Sequence, residues 1–290
     1  MSRHKKPEIA LIYDFDGTLA PGNMQEKAFI PDVGMNKKKF WDKVSELSVK
    51  HGGDNVLMYM QLMIDEAKKN EVQFARKDIK RYGRGLKFFP GVEGWFKRVN
   101  KYAKAKGLSA KHYIISAGNK EMIQGTKIAK EFAQIYGSAF RYDHHGIAVG
   151  LALAINYTTK TQYLFRINKG ALDVTDHATL NAWTERETRK VPFERMIFLG
   201  DGASDVPCMR LVKQQGGFSI AVYRPGSSNA KAESKKLIGH KRVDFAVPAD
   251  YREGRKLDVA VKHRIDLVAA TVDFRESIGW GPGGNSGDVE

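Results

Sequence analysis

Two carboxylates stand two residues apart in the run Asp14-Phe15-Asp16-Gly17-Thr18-Leu19. They follow the apolar stretch Ile9-Ala10-Leu11-Ile12-Tyr13, which reads as a parallel strand covered on both faces. Ligands of open α/β sheets bind just beyond the carboxyl ends of such strands, so the pair emerges where chemistry is done. Two acids this close cannot ionise independently. Repulsion raises the proton affinity of one while a bound cation holds the other ionised, which divides them into a nucleophile and a proton donor. Gly17 lets the chain turn sharply enough for both to converge on one reacting atom. Taken alone, the pattern is equally an Asp-rich turn after a strand.

Two more segments end in the same way. Tyr113-Ile114-Ile115 stops at Ser116-Ala117-Gly118, a hydroxyl followed by small residues whose backbone N–H groups can approach an anion closely. Met196-Ile197-Phe198-Leu199 stops at Gly200-Asp201-Gly202-Ala203-Ser204-Asp205, with Asp201 at the strand end and Asp205 in the first turn of the next helix. These oxygens suit a hard cation such as Mg²⁺. Between them, residues 158–170 read as a helix with threonines at its start and Gly170 at its end. Lys169 complements the negative end of that helix, whereas Lys160 stands at the positive end, where a cation is disfavoured by about 0.3–1 kcal/mol and calls for another reason. At about 1.5 Å per residue the two lie roughly 13 Å apart, so both cannot touch one phosphate. The dipole argument favours Lys160, with Lys169 as the alternative.

The ordered set DFDGTL, IISAG, TTKTQ and GDGASD resembles the four motifs of the haloacid dehalogenase superfamily, in particular its phosphoserine-phosphatase-like members. The resemblance implies an α/β fold: a Rossmann-like three-layer core with a parallel sheet, plus a small α-helical cap inserted after the first motif. It implies that Asp14 attacks phosphorus to give an aspartyl-phosphate, that Asp16 acts as acid and then base, and that Lys160 is the motif lysine. Ser116, Ala117, Lys160 and Thr18 would bind the phosphate, and Asp14, Asp16 (through its carbonyl), Asp201 and Asp205 would serve Mg²⁺. Asp16 also discriminates between reactions: halide departs without a proton, so a second acid favours a phosphate ester over a haloacid. The expected activity is Mg²⁺-dependent hydrolysis of a small phosphorylated metabolite, with phosphotransferase or phosphomutase chemistry as the alternative.

Positioning these residues requires a set of strands and helices that the periodicity supplies. The surplus between the first two motifs, residues 21–87, reads as helices, with Phe40, Trp41, Val44 and Leu47 on one stripe and Val56, Tyr59, Met60, Met63, Ile64 and Ala67 on the next. His51-Gly52-Gly53-Asp54 supplies a stop and a new N-cap. Phe88-Phe89-Pro90-Gly91 reads as a hinge. Helices are expected over 92–106, 120–136, 229–238 and 257–270, strands over 218–223 and 244–247, and a β-hairpin over 138–155 with His144 and His145 at its turn. The domain division expected is a core of residues 1–20 and 88–275, a cap of 21–87, and a disordered tail of 276–290.

The 290 residues hold 48 Lys and Arg against 33 Asp and Glu, a formal charge of +15, so an anionic partner must be weighed. A phosphorylated substrate fits, since a positive field speeds its encounter. The alternative from another class is a nucleic-acid-binding protein on an inactive phosphatase scaffold. The cations are scattered, without a basic stripe interleaved with aromatics, so nucleic acid is not the expected partner. Hydrophobic content of 42% and a single cysteine, Cys208, fit a soluble protein of a reducing compartment. No apolar stretch is long enough for a signal peptide or membrane span, so a cytoplasmic location is expected. Oligomeric state is left open.

Overall fold

The computed structural model describes residues 6–186 and 188–279. Strand β1 (Glu8–Tyr13) is buried along its length and its side chains divide by parity. Ile9, Leu11 and Tyr13 join one apolar cluster, Ala10 and Ile12 the other, as a strand covered on both faces requires. Beyond it come α1 (Phe29–Asp32), α2 (Lys37–His51), α3 (Asn55–Lys69) and α4 (Arg76–Arg84), then α5 (Val92–Ala105), β2 (Ser109–Asn119), α6 (Lys120–Gln124), β3 (Gln134–Tyr142) and β4 (Ala148–Leu153). The chain continues through α7 (Thr159–Lys169), α8 (His177–Asn181), β5 (Met196–Gly200), α9 (Val206–Gln214), β6 (Phe218–Tyr223), α10 (Ser228–Gly239), β7 (Phe245–Pro248) and α11 (Lys256–Ser277).

The sheet order is β4-β3-β2-β1-β5-β6-β7, parallel except where β4 returns against β3. Trp95, Phe96 and Val99 of α5 with Val261 and Ile265 of α11 cover one face. Tyr163, Leu164 and Ile167 of α7 with Cys208, Met209 and Val212 of α9 cover the other. This is the three-layer α/β architecture. Successive connections leave β1 towards β2 on one side and reach β5 on the other, so the carboxyl end of β1 is the switch point at which a crevice forms.

Helices α2 and α3 meet at the expected break. Gly52 closes α2 in the left-handed region, and Asp54 Oδ1 accepts the N–H groups of Val56 and Leu57 at 2.8 and 3.3 Å. Such a cap is worth about 1 kcal/mol. The helical segment shares its apolar cluster with the sheet: Phe74 lies 5.2 Å, ring centre to ring centre, from both Phe29 and Phe140. Its backbone also bonds the hairpin, Arg76 N–H donating to Gly146 O and Ala148 N–H to Phe74 O. Helix α4 is seated by close backbone approach: a β-carbon on Gly83 would fall 1.9 Å from Met122 O, and one on Gly125 1.8 Å from Lys80 O.

Two expectations are corrected. The helix expected over 120–136 ends at Gln124, and β3 begins at Gln134, pairing Ile135 with Ile114 of β2. Thr126 Oγ1 donates to Ile123 O and Gly125 packs on Lys80, which ends the helix. Met122, Ile123, Ile128 and Ile135 are buried, but on separate elements rather than one helical stripe. Helix α11 continues past Ala270 to Ser277. The hairpin is present as β3–β4, with His144 and His145 exposed at its turn, and Cys208 is buried. Of the disordered tail expected over 276–290, residues 276 and 277 instead close α11, and those from 280 onward lie outside the described residues.

Candidate active site

Asp14 is held at the sheet's end by its own backbone, whose N–H donates to Leu199 O at 2.9 Å and so prolongs the β1–β5 ladder by one residue. The chain then turns: Phe15 O accepts from the N–H groups of Leu19 and Ala20 at 2.9 and 3.1 Å, and Gly17 takes φ +76°. This turn sets Asp16 beside Asp14, its Oδ1 accepting Met24 N–H at 3.0 Å. From β2, Ser116 contributes a buried hydroxyl that accepts Gly118 N–H at 3.1 Å.

Lys160 reaches the same point from the first turn of α7. Its ammonium is fully buried, 3.2 Å from Asp14 Oδ1, and donates to Asp205 Oδ1 at 2.7 Å and Ser204 Oγ at 3.4 Å. These two carboxylates supply the reason for a cation at the positive end of a helix. Lys169 points the other way and donates to Leu180 O and Ala182 O at 2.7 and 2.6 Å. Asp205 is itself fully buried, and its Oδ2 accepts the backbone N–H groups of Asp201 and Gly202 at 3.0 and 3.2 Å. It therefore ties Lys160 to the turn that carries Asp201.

Burial, and after it the crowding of acids, sets the electrostatics. Burial pushes the Asp14 carboxyl up to about 6, with Lys160 opposing the rise and Asp205 adding to it. Burial, then the neighbouring Asp14, holds Asp16 well above the usual carboxylate range. Asp201 opens onto the cleft but is walled by protein, and this loss of water together with Asp205 and Asp14 raises its carboxyl as well. Burial alone would lower Lys160, yet Asp14 and Asp205 outweigh it and keep the ammonium charged.

A cleft of about 440 Å³ opens over this group, lined by Asp14, Asp16, Gly17, Ser116, Ala117 and Asp201 among others. Lys160 and Asp205 stand behind its wall. Thr18 is not brought to the cleft: it is buried, its carbonyl accepting the Tyr251 hydroxyl at 2.8 Å. One oxygen each of Asp14, Asp201 and Asp205 lie within 4.8 Å of one another, and Asp14 Oδ1 is buried without accepting a hydrogen bond. Excess negative charge on an all-oxygen donor set fits a hard divalent cation. A second cavity of about 280 Å³ adjoins Asp16, Ala117 and Gly118 and is walled by α2 and α3. Sequence reasoning assigned its Trp41 and Tyr59 to apolar helix stripes. The polar tips of those rings were the available signal, for Tyr59 donates its hydroxyl to Ala117 O at 2.6 Å and Trp41 its Nε1–H to Glu26 Oε1 at 3.0 Å.

A protein of Borreliella burgdorferi described only as uncharacterized is 28% identical over 286 residues, covering 89% of this chain and 97% of its own length. Among solved structures, a HAD family hydrolase from Salmonella enterica serovar Typhi matches with a TM-score of 0.55 at 17% identity, over 89% of this chain and 72% of that one. A phosphoserine phosphatase carrying a phospho-aspartyl intermediate analogue matches with a TM-score of 0.52 at 15% identity, over 89% and 99%. At such identities the likeness is one of fold. The sequence model of the haloacid dehalogenase-like hydrolases, however, matches residues 11–210, a span that runs from β1 through the turn bearing Asp201 and Asp205, and the chain belongs to that family.

Proposed function

We propose that this protein is a Mg²⁺-dependent phosphomonoesterase acting through an aspartyl-phosphate. The observation that carries the reading is the meeting of Asp14, Asp16 and Asp201 at one cleft, with Lys160 against Asp14 behind its wall. An Asp14 oxygen attacks phosphorus and the bond to the ester oxygen breaks. Asp16, whose surroundings favour its protonated form, gives its proton to the departing oxygen. Water then attacks the phosphorus, Asp16 takes up its proton, and the bond to Asp14 breaks to restore the carboxylate. Lys160 and the Ser116 hydroxyl offset charge on the phosphoryl oxygens. Asp14, Asp201 and the Asp16 carbonyl would hold Mg²⁺, with Asp205 supporting them, and the ion when bound supplies further neutralisation of that charge. The acid beside the nucleophile favours esters over haloacids. The test is release of inorganic phosphate from p-nitrophenyl phosphate by the purified protein. Turnover that EDTA abolishes and Mg²⁺ restores is expected, and an undiminished rate in EDTA would overturn the metal assignment.

A further inference from the structure

The second cavity lies where a leaving group would go. It shares Asp16, Ala117 and Gly118 with the phosphate cleft, so an ester oxygen that takes its proton from Asp16 carries its carbon skeleton into this space. Resting on the phosphatase reading above, we infer that the cavity seats an uncharged polyhydroxylated alcohol, making the substrate class sugar or polyol monophosphates rather than phosphoserine. Among the described residues lining it, Asp16 alone is a charged side chain. Of the lysines on the same helix as Trp41, Lys38 pairs with Asp42 at 2.6 Å and Lys43 with Glu66 at 2.5 Å. An amino-acid leaving group would bring an ammonium and a carboxylate into a space with no cation to meet the carboxylate, and an unpaired charge removed from water is strongly disfavoured.

The lining is instead matched to hydroxyl groups on a compact body. Trp41 and Tyr59 stand edge to face with ring centres 5.9 Å apart and offer apolar surface to C–H groups, the indole fixed by its bond to Glu26. Gln25 donates one amide hydrogen to Asn119 Oδ1, which leaves its carbonyl oxygen as an acceptor for a ligand. Ser45 and Asn55 add further polar groups to the wall. A neutral alcohol bearing several hydroxyls satisfies such groups without bringing in charge, as ligand sites of this composition do.

The experiment compares kcat/KM in Mg²⁺ for glucose 6-phosphate, glycerol 1-phosphate, O-phosphoserine and p-nitrophenyl phosphate, using the full chain and the Asn55→Arg variant at the exposed start of α3. The polyol esters should exceed O-phosphoserine by about 10²-fold. Asn55→Arg, which places a cation at the wall, should narrow that ratio at least tenfold. O-phosphoserine turned over as well as the polyol esters, or p-nitrophenyl phosphate alone turned over, would overturn the substrate class while leaving the phosphatase reading intact. A ratio unmoved by Asn55→Arg would overturn the assignment of this cavity. Hydrolysis of none of the four esters would overturn the phosphatase reading, and this inference with it.

Discussion

A β-carbon on Gly17 would stand 2.0 Å from Asp201 Oδ2, so the carboxylate from the β5 turn occupies the space that any other residue at position 17 would fill. Gly17 also holds φ +76°, a conformation that costs an L-residue roughly 1–2 kcal/mol. The Gly17→Ala protein should therefore lose a modest amount of stability but most of its activity, because Asp201 must move. Circular dichroism melts beside phosphate-release assays separate the two effects. Activity within threefold of the parent would show that the site tolerates a displaced Asp201.

Asp201 stands against Asp205 and Asp14, the two carboxylates that Lys160 pairs. Without divalent cations at pH 7.5, Asp201→Asn should raise Tm, since removing one of three crowded charges relieves repulsion in the folded state. Mg²⁺ should reverse the ranking. The parent gains about 2.7 kcal/mol at a hundredfold excess over Kd, a rise of several degrees for a domain of this size, and the variant gains much less. Equal Mg²⁺-induced shifts in a thermal-shift titration would remove Asp201 from the ligand set.

Asp14→Asn removes the charge of the proposed nucleophile while keeping its shape. Turnover should fall on the order of 10⁴-fold with the melt little changed. Rapid-quench detection of phosphoenzyme with ³²P-labelled substrate gives a second readout: the parent should label covalently and Asp14→Asn should not.

The two lysines of α7 should behave oppositely. Lys160 is buried between Asp14 and Asp205, so Lys160→Met leaves both acids without their cation and should destabilise by about 3–5 kcal/mol as well as abolish activity. Lys169→Ala loses two bonds to carbonyls, of Leu180 and Ala182, and should keep kcat within a fewfold. Urea unfolding and steady-state kinetics on both variants decide it. Greater catalytic damage at Lys169 would reverse the assignment.

Much of the site is legible in the order of residues because each motif is local: an apolar run followed by acids or glycines is enough to place Asp14 and Asp201 at strand ends, whereas β2 runs on past Ser116 to Asn119, where it pairs with Ser138 of β3. The choice between Lys160 and Lys169 is readable from the helix dipole, since an unfavourable cation implies a partner. What escapes depends on contacts remote in sequence. The apolar spacing of Met122, Ile123, Ile128 and Ile135 mimics a helix because two elements bury residues on one side, and only the pairing of Ile135 with Ile114 reveals the strand. Trp41 and Tyr59 read as core because periodicity reports which face is covered, not whether a cavity lies beneath it. Thr18 lies in the first motif, yet the turn at Gly17 carries it behind the cleft.

Under the sheet, one titrating group should imprint itself on stability. Trp95 Nε1–H donates to the Tyr13 hydroxyl at 2.8 Å, Tyr13 lies 3.0 Å from His112 Nδ1, and His112 Nε2 lies 3.0 Å from Asn100 Oδ1. With Tyr13 donating to Nδ1 and Nε2–H donating to Asn100, this chain holds the neutral imidazole, and burial pushes His112 down to about 3. The unfolded chain has an ordinary histidine near 6.5 and binds the proton first as pH falls, so stability is complete above that value and lost between about 6.5 and about 3. The slope from this residue approaches about 1.4 kcal/mol per pH unit. His112→Gln keeps an acceptor and a donor but cannot titrate. It should unfold more easily at pH 7.5, yet its urea-unfolding free energy should fall less steeply from pH 6.5 to 4.5 than the parent's. Parallel pH profiles for the two proteins would mean that His112 is protonated as readily in the folded chain as in the unfolded one.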